Sequence, residues 1–302
     1  MFIEQAYKGD NIWWKVLITT FLSTGIFVLN IIVYLLLSKE QLQLIYDAMN
    51  NTSKIIGLIN ALVPFAFLLG LLFLLVIYLH QRNITTLTTS RSKIDIKRIF
   101  FSFGLIIFFA IASFIISYCI DHSNIELNFN FKKFSILFFV CLVLLPFQIG
   151  FEEYLFRGYL MQQIGIIAKN RWIPLLITSI SFGIFHSANP EVAELGFGVM
   201  FFYIGTGLLL GIMTLMDEGI ELALGFHFGN NLIAALLITS DYSALQTDAI
   251  FKYSTKENNS NILIEMIILL AIIYPIIIFI LAKKYNWINW KEKLSGKIKN
   301  TI

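Results

Sequence analysis

The chain reads as long apolar runs separated by short polar segments. Runs long enough to cross a hydrocarbon layer, about 20 residues each, fall near 16–37, 55–79, 99–120, 172–188, 196–216, 220–240 and 262–282. A longer one covers 134–151 and continues into 152–168. These runs predict an all-α polytopic membrane protein of about eight transmembrane helices, with both termini on one side. The stretch 134–168 exceeds one straight span. It is expected to kink at Pro146 or to break near Gly150.

Composition narrows the class. Of 302 residues, 58% are hydrophobic and 14% are charged, where soluble chains carry about 25% charged residues. Mean hydropathy is +0.78. A soluble two-domain protein and a disordered chain are both excluded. The net charge of +3 is small and dispersed, which argues against nucleic acid as a partner. Cys119 and Cys141 lie in apolar runs and read as core residues, not as a disulfide or a metal cluster. The polar opening MFIEQAYKGDN and the length of the first run predict no cleavable signal peptide.

Lysine and arginine predict orientation. Fifteen of them (Lys8 and Lys15, the 82–98 group, Lys169 and Arg171, and the tail from Lys283 to Lys299) fall on the side of the termini. Six fall opposite: Lys39, Lys54, Lys132, Lys133, Lys252 and Lys256. Both termini are therefore expected in the cytoplasm. The acidic Asp217, Glu218 and Glu221 run against this pattern. The tail, with Trp287 and Trp290 among lysines, reads as an anchor to membrane lipids. No internal repeat is visible, which disfavours a transporter.

Ionisable residues inside spans are rare and expensive, so each is a functional candidate. They are Glu152, Glu153 and Arg157 in QIGFEEYLFRGYL, His186 in SFGIFHSANP, and His227 with Asn231 in LGFHFGNNL; Glu265 reads as a snorkelling residue at a span end. His80 and His122 read as solvated loop residues. At 1.5 Å per residue, Glu152 lies about 24 Å from the inner boundary, His186 about 21 Å, His227 about 13 Å and Asn231 about 19 Å. Helix tilt absorbs these differences, so three helices deliver polar groups to one layer. Glu153 and Arg157, spaced i, i+4, can pair, while Glu152 points about 100° away. Phe182, one turn before His186, can wall its imidazole.

A carboxylate and an imidazole can deprotonate a water, and a second imidazole with an amide can stabilise an oxyanion. That set suits peptide hydrolysis. Glu152, His186 and His227 are also a plausible zinc set; the amide of Asn231 fits an oxyanion donor better than a ligand, so the metal-free mechanism is favoured. A non-enzymatic membrane scaffold or immunity protein is the alternative class.

The motifs EEYLFR (152–157), FGIFH (182–186) and HFGNN (227–231), in this order, resemble EExxxR, FxxxH and HxxxN of the CPBP family, the CAAX prenyl protease and bacteriocin-processing group of intramembrane endopeptidases. The resemblance covers roughly 134–240. It implies a helical core enclosing a catalytic cavity open to the cytosol, and cleavage of a membrane-presented or lipidated peptide or protein. By motif position, Glu152 and His186 would activate water, His227 and Asn231 would form the oxyanion site, and Glu153 and Arg157 would hold the motif helix. The family has been described both as glutamate proteases and as metalloproteases. The chain then divides into 1–133, helices without motifs; 134–240, the catalytic core; and 241–302, the last helix and basic tail. Much Ile, Phe, Asn and Lys suggests a bacterial cell membrane, where peptide maturation or bacteriocin self-immunity would supply the substrate.

Overall fold

In the computed structural model, residues 1–120, 122–253 and 259–298 are described; Lys256 and Lys299, counted in the charge pattern, lie outside them. Among the described residues, six helices are long and apolar enough to cross a membrane. They are α1 (Trp13–Leu36), α3 (Lys54–Leu79), α4 (Ile96–Ile120), α5 (Phe131–Ala168), α7 (Val199–Asp217) and α9 (Leu263–Lys284). Between α1 and α3 lies a more polar helix, α2 (Lys39–Asn51). In α1, α4 and α9 only 11% of the apolar window is buried, and residues such as Phe21 and Ile120 turn outward to lipid. In α7 the share is 56%, so α7 is the central helix.

The other two expected spans are shorter helices, α6 (Trp172–Phe185) and α8 (Glu221–Leu237). Local chemistry ends them early. Asn170 caps the start of α6, its Oδ1 accepting from the amides of Trp172 at 2.8 Å and Ile173 at 3.2 Å. The helix stops at His186, and Asn189 is held extended ahead of Pro190, as a residue before proline prefers. Helix α8 starts after a left-handed Glu218 and gives way to an extended Ile238. Fourteen residues rise only about 21 Å, less than the roughly 30 Å of a hydrocarbon core. The chain after His186 therefore leaves the helix at membrane depth, which is tolerated only inside protein or along a cavity.

The over-long α5 neither breaks nor ends at Gly150. It is continuous over 38 residues and takes up its polar motif in a π-helical segment, Tyr154–Leu160, immediately after Glu153. Such wide turns recur at functional sites. A small sheet, absent from the apolar pattern, closes one end: β1 (Ile125–Leu127), β2 (Ile238–Thr239) and β3 (Phe251–Tyr253), with β3 in the middle. Ile125 pairs antiparallel with Tyr253, and Ile238 pairs parallel with Phe251.

The two described ends of the chain, around Ile3 and Ile298, meet at the opposite end. The Ile298 amide donates to the Lys169 carbonyl at 3.0 Å, and the Phe2 amide bonds the Glu218 carboxylate. The acidic segment that ran against the charge pattern is paired in place: Arg91 reaches Asp217 and, at 2.7 Å, Glu221; Arg98 also bonds Asp217, as does the Trp287 indole at 3.3 Å. His80 is not a solvated loop residue. It is buried, with Nε2 3.0 Å from both Thr19 Oγ1 and Tyr159 Oη and Nδ1 2.7 Å from the Asp10 carbonyl. It ties α1 and the end of α3 to the motif helix. His122, by contrast, is exposed.

Candidate active site

Close helix approach brings the motifs together. Helix α8 lies against α4 through Gly225 and Gly229; a Cβ on Gly225 would meet the Ile99 carbonyl oxygen at 2.0 Å, and one on Gly229 would meet that of Phe103 at 2.9 Å. His227 is two residues from each glycine, about 200° around the helix, so it turns away from α4. Helix α7 lies as close to α6: a Cβ on Gly207 would meet the Ser179 oxygen at 2.8 Å. The Gly207 carbonyl accepts from Arg157 Nη2 at 3.2 Å.

Glu153 and Arg157 are both fully buried and bonded through Oε1 and Nη1 at 2.8 Å. The Arg157 guanidinium also lies 4.4 Å from the Phe182 ring centre. The same Glu153 oxygen takes His227 Nδ1 at 2.8 Å. Glu153 therefore does more than hold its own helix: it aims the imidazole of α8. The other ring nitrogen, Nε2, faces Glu152 Oε2 at 3.6 Å. Glu152 is buried, and its Oε1 accepts from Gln148 at 3.2 Å. His227 thus stands between the two adjacent glutamates, a relation that spacing in sequence does not reveal.

His186 lies on the other side of Phe182. The Phe182 ring is 4.6 Å from His186 and 5.8 Å from His227, centre to centre. Glu152 and His186 are expected to act on one water. Among the described residues no hydrogen bond joins the two side chains directly. Its Nδ1 is 2.7 Å from the Phe182 carbonyl, and its ring stacks on Tyr203 at 4.4 Å. Asn231, one turn beyond His227, accepts from Asn230 through Oδ1 at 3.2 Å, which leaves the NH₂ end as what it offers a ligand.

Tyr203, Glu191 and Asn189 form a group missed in the sequence. Tyr203 Oη donates to Glu191 Oε1 at 2.6 Å and accepts from Asn189 Nδ2 at 3.1 Å. A tyrosine in an apolar run and a glutamate in the first turn of the short helix Pro190–Leu195 carry no motif; only folding sets them against His186. Beside them opens a cavity of about 220 Å³ reaching Ser240 and Tyr242, at the end of the molecule away from the termini.

Tautomers limit what these groups can do. With Nδ1–H donated to Glu153 and to the Phe182 carbonyl, each neutral imidazole offers Nε2 as an acceptor. The Asn231 amide is the donor of the motif set. As for metal, no three His, Cys, Asp or Glu side chains among the described residues are grouped to hold an ion. Glu152, His186 and His227 do not form such a group as placed.

Residues 133–233 match the family model for the Rce1-like type II CAAX prenyl endopeptidases. The chain is also 29% identical over 248 residues to YyaK, an uncharacterized protein of Bacillus subtilis (strain 168), which spans 79% of this chain and 82% of that protein. No solved structure matches it significantly. The EExxxR, FxxxH and HxxxN residues, set within an all-α membrane bundle, all fall inside the matched segment 133–233, which is similar to the Rce1-like, CAAX-type membrane proteases.

Proposed function

We propose that this protein is a glutamate-type intramembrane endopeptidase that cleaves a membrane-presented or lipidated peptide. The observation carrying the proposal is His227 held between Glu153, at 2.8 Å, and Glu152, at 3.6 Å. Glu153 fixes the ring, so that Nε2 and the Glu152 carboxylate border one small volume. A water there is polarised by Glu152, which takes its proton as the oxygen attacks the peptide carbonyl. The developing oxyanion is met by the Asn231 amide. Collapse breaks the C–N bond, and the proton held on Glu152 passes to the leaving nitrogen, giving a carboxylic acid and an amine. His186 and His227, as Nε2 acceptors, orient the water and relay its proton. This reading moves His227 from oxyanion donor to proton relay, because its donor hydrogen is already committed to Glu153.

The test is cleavage of quenched-fluorescence peptides carrying an alkyl anchor, using purified full-length protein in lipid. Glu152→Gln should remain abundant and lose cleavage entirely. A Glu152→Gln protein that still cleaves would remove Glu152 from the mechanism, and a wild-type protein that cleaves none of a broad peptide set would favour the scaffold or immunity role. Dialysis against a strong chelator should leave the rate unchanged. A rate that falls with chelator and returns with one zinc per chain would replace the metal-free mechanism.

A further inference from the structure

We infer that the cavity beside His186 is a subsite for a cationic group of the peptide, recognised by Glu191. The inference rests on the protease reading and adds a substrate preference to it. Glu191 lines the cavity together with Tyr203, Tyr242 and Tyr253. Its Oε1 is taken by the Tyr203 hydroxyl, but its buried Oε2 has no partner among the described residues. No Lys, Arg or His forms an ion pair with Glu191 among those residues, nor with Glu265, which is held by Ser117 and by the Tyr253 hydroxyl at 3.3 Å. The nearby Lys252 is engaged by Asp241 at 2.7 Å. Glu191, Glu194 and Glu265 all act on Tyr242, so the cavity lies in a negative field.

A buried carboxylate oxygen without a partner is costly. It is satisfied when a ligand brings a donor, and a positively charged donor also answers the field. The three tyrosine rings give such a cation aromatic faces. A volume of about 220 Å³ suits one side chain, not a peptide segment. The stack of Tyr203 on His186, at 4.4 Å, ties the subsite to the catalytic group. A lysine or arginine seated against Glu191 would therefore set the register in which the peptide passes Glu152. A free N-terminal ammonium offers the same chemistry.

The experiment measures binding and cleavage separately. Anchored fluorescent peptides, N-acetylated and carrying lysine at successive positions, are compared with norleucine counterparts on the Glu152→Gln protein by anisotropy. A third series carries norleucine and a free N-terminus, which separates an ammonium terminus from a side chain. At least one cationic position should bind about tenfold or more tightly than its norleucine partner, the size of one hydrogen bond to a charged group. Adding Glu191→Gln, which keeps an acceptor for Tyr203, should erase the difference. Equal binding of cationic and neutral series, or a preference that survives Glu191→Gln in folded protein, overturns the subsite. Should that variant fail to fold, butylammonium should displace the lysine peptide while butanol at the same concentration should not; equal displacement overturns it as well. A cation preference in binding without cleavage by wild type would sink the protease reading and leave the subsite standing.

Discussion

Glu152 and Glu153 are neighbours in sequence with different partners. Glu153 compensates the fully buried Arg157 and holds His227, whereas Glu152 touches Gln148 and faces His227 without a cation of its own. Neutralising Glu153 strands a guanidinium in low dielectric, and breaking a buried pair costs about 3–5 kcal/mol. Glu153→Gln should therefore lower the melting temperature and the amount of folded protein, read by thermal scanning and membrane abundance. Glu152→Gln should change neither. Equal destabilisation of both would show that the two carboxylates do not divide their roles in this way. Asn231→Ala tests the amide as oxyanion donor. Loss of one such donor typically slows turnover about 10²–10³-fold, so residual cleavage should persist where Glu152→Gln has none. A change of less than about threefold would remove Asn231 from the mechanism.

At the level of elements, the site depends on how closely α8 approaches α4. Gly225 leaves no room for a methyl group, since its Cβ would lie 2.0 Å from a backbone oxygen of Ile99, which no rotamer change relieves. Gly225→Ala should push α8 away from α4, and folded yield in size-exclusion chromatography should drop sharply. Gly104→Ala, where nothing lies within 4 Å, is the matched control and should behave as wild type. Similar yields for the two would mean that the approach is not what positions His227. The π-helical segment of α5 belongs to the same scale. The wide turn begins immediately after Glu153, which bonds both Arg157 and His227 of α8.

For the whole molecule, the two ends have different contents. The termini, the Arg91 and Arg98 clasp on Asp217, and Lys169 lie at one end; the small sheet, the Pro190–Leu195 helix and the cavity beside His186 lie at the other. The sidedness of Lys and Arg predicts cytoplasmic termini, while the resemblance implies a cytosolic opening. If the cavity beside His186 is the mouth, only one of the two holds. The decisive measurement uses protein with Cys119 and Cys141 replaced by serine. A cysteine at Ser243, in the cavity lining, and one at Ser295, in the tail helix, should be labelled by an impermeant maleimide from opposite faces of the membrane. Labelling from the same face would refute this arrangement.

Run length, mean hydropathy and the scarcity of charge are properties of the chain itself, because lipid imposes them on each segment separately. They sufficed for an all-α membrane bundle and for a short roster of costly polar residues in one layer. Helical spacing was equally local, so the Glu153–Arg157 pair was legible at i, i+4. Partners across helices were not. Whether Glu152 meets His186 or His227 depends on rotations of α5, α6 and α8 set by glycine contacts with α4 and α7, and no single segment encodes those. The burial of His80, the seat of Tyr203 on His186 and the unpartnered oxygen of Glu191 arise in the same way. Each involves residues from separate elements of the chain, and only packing of the assembled bundle decides it.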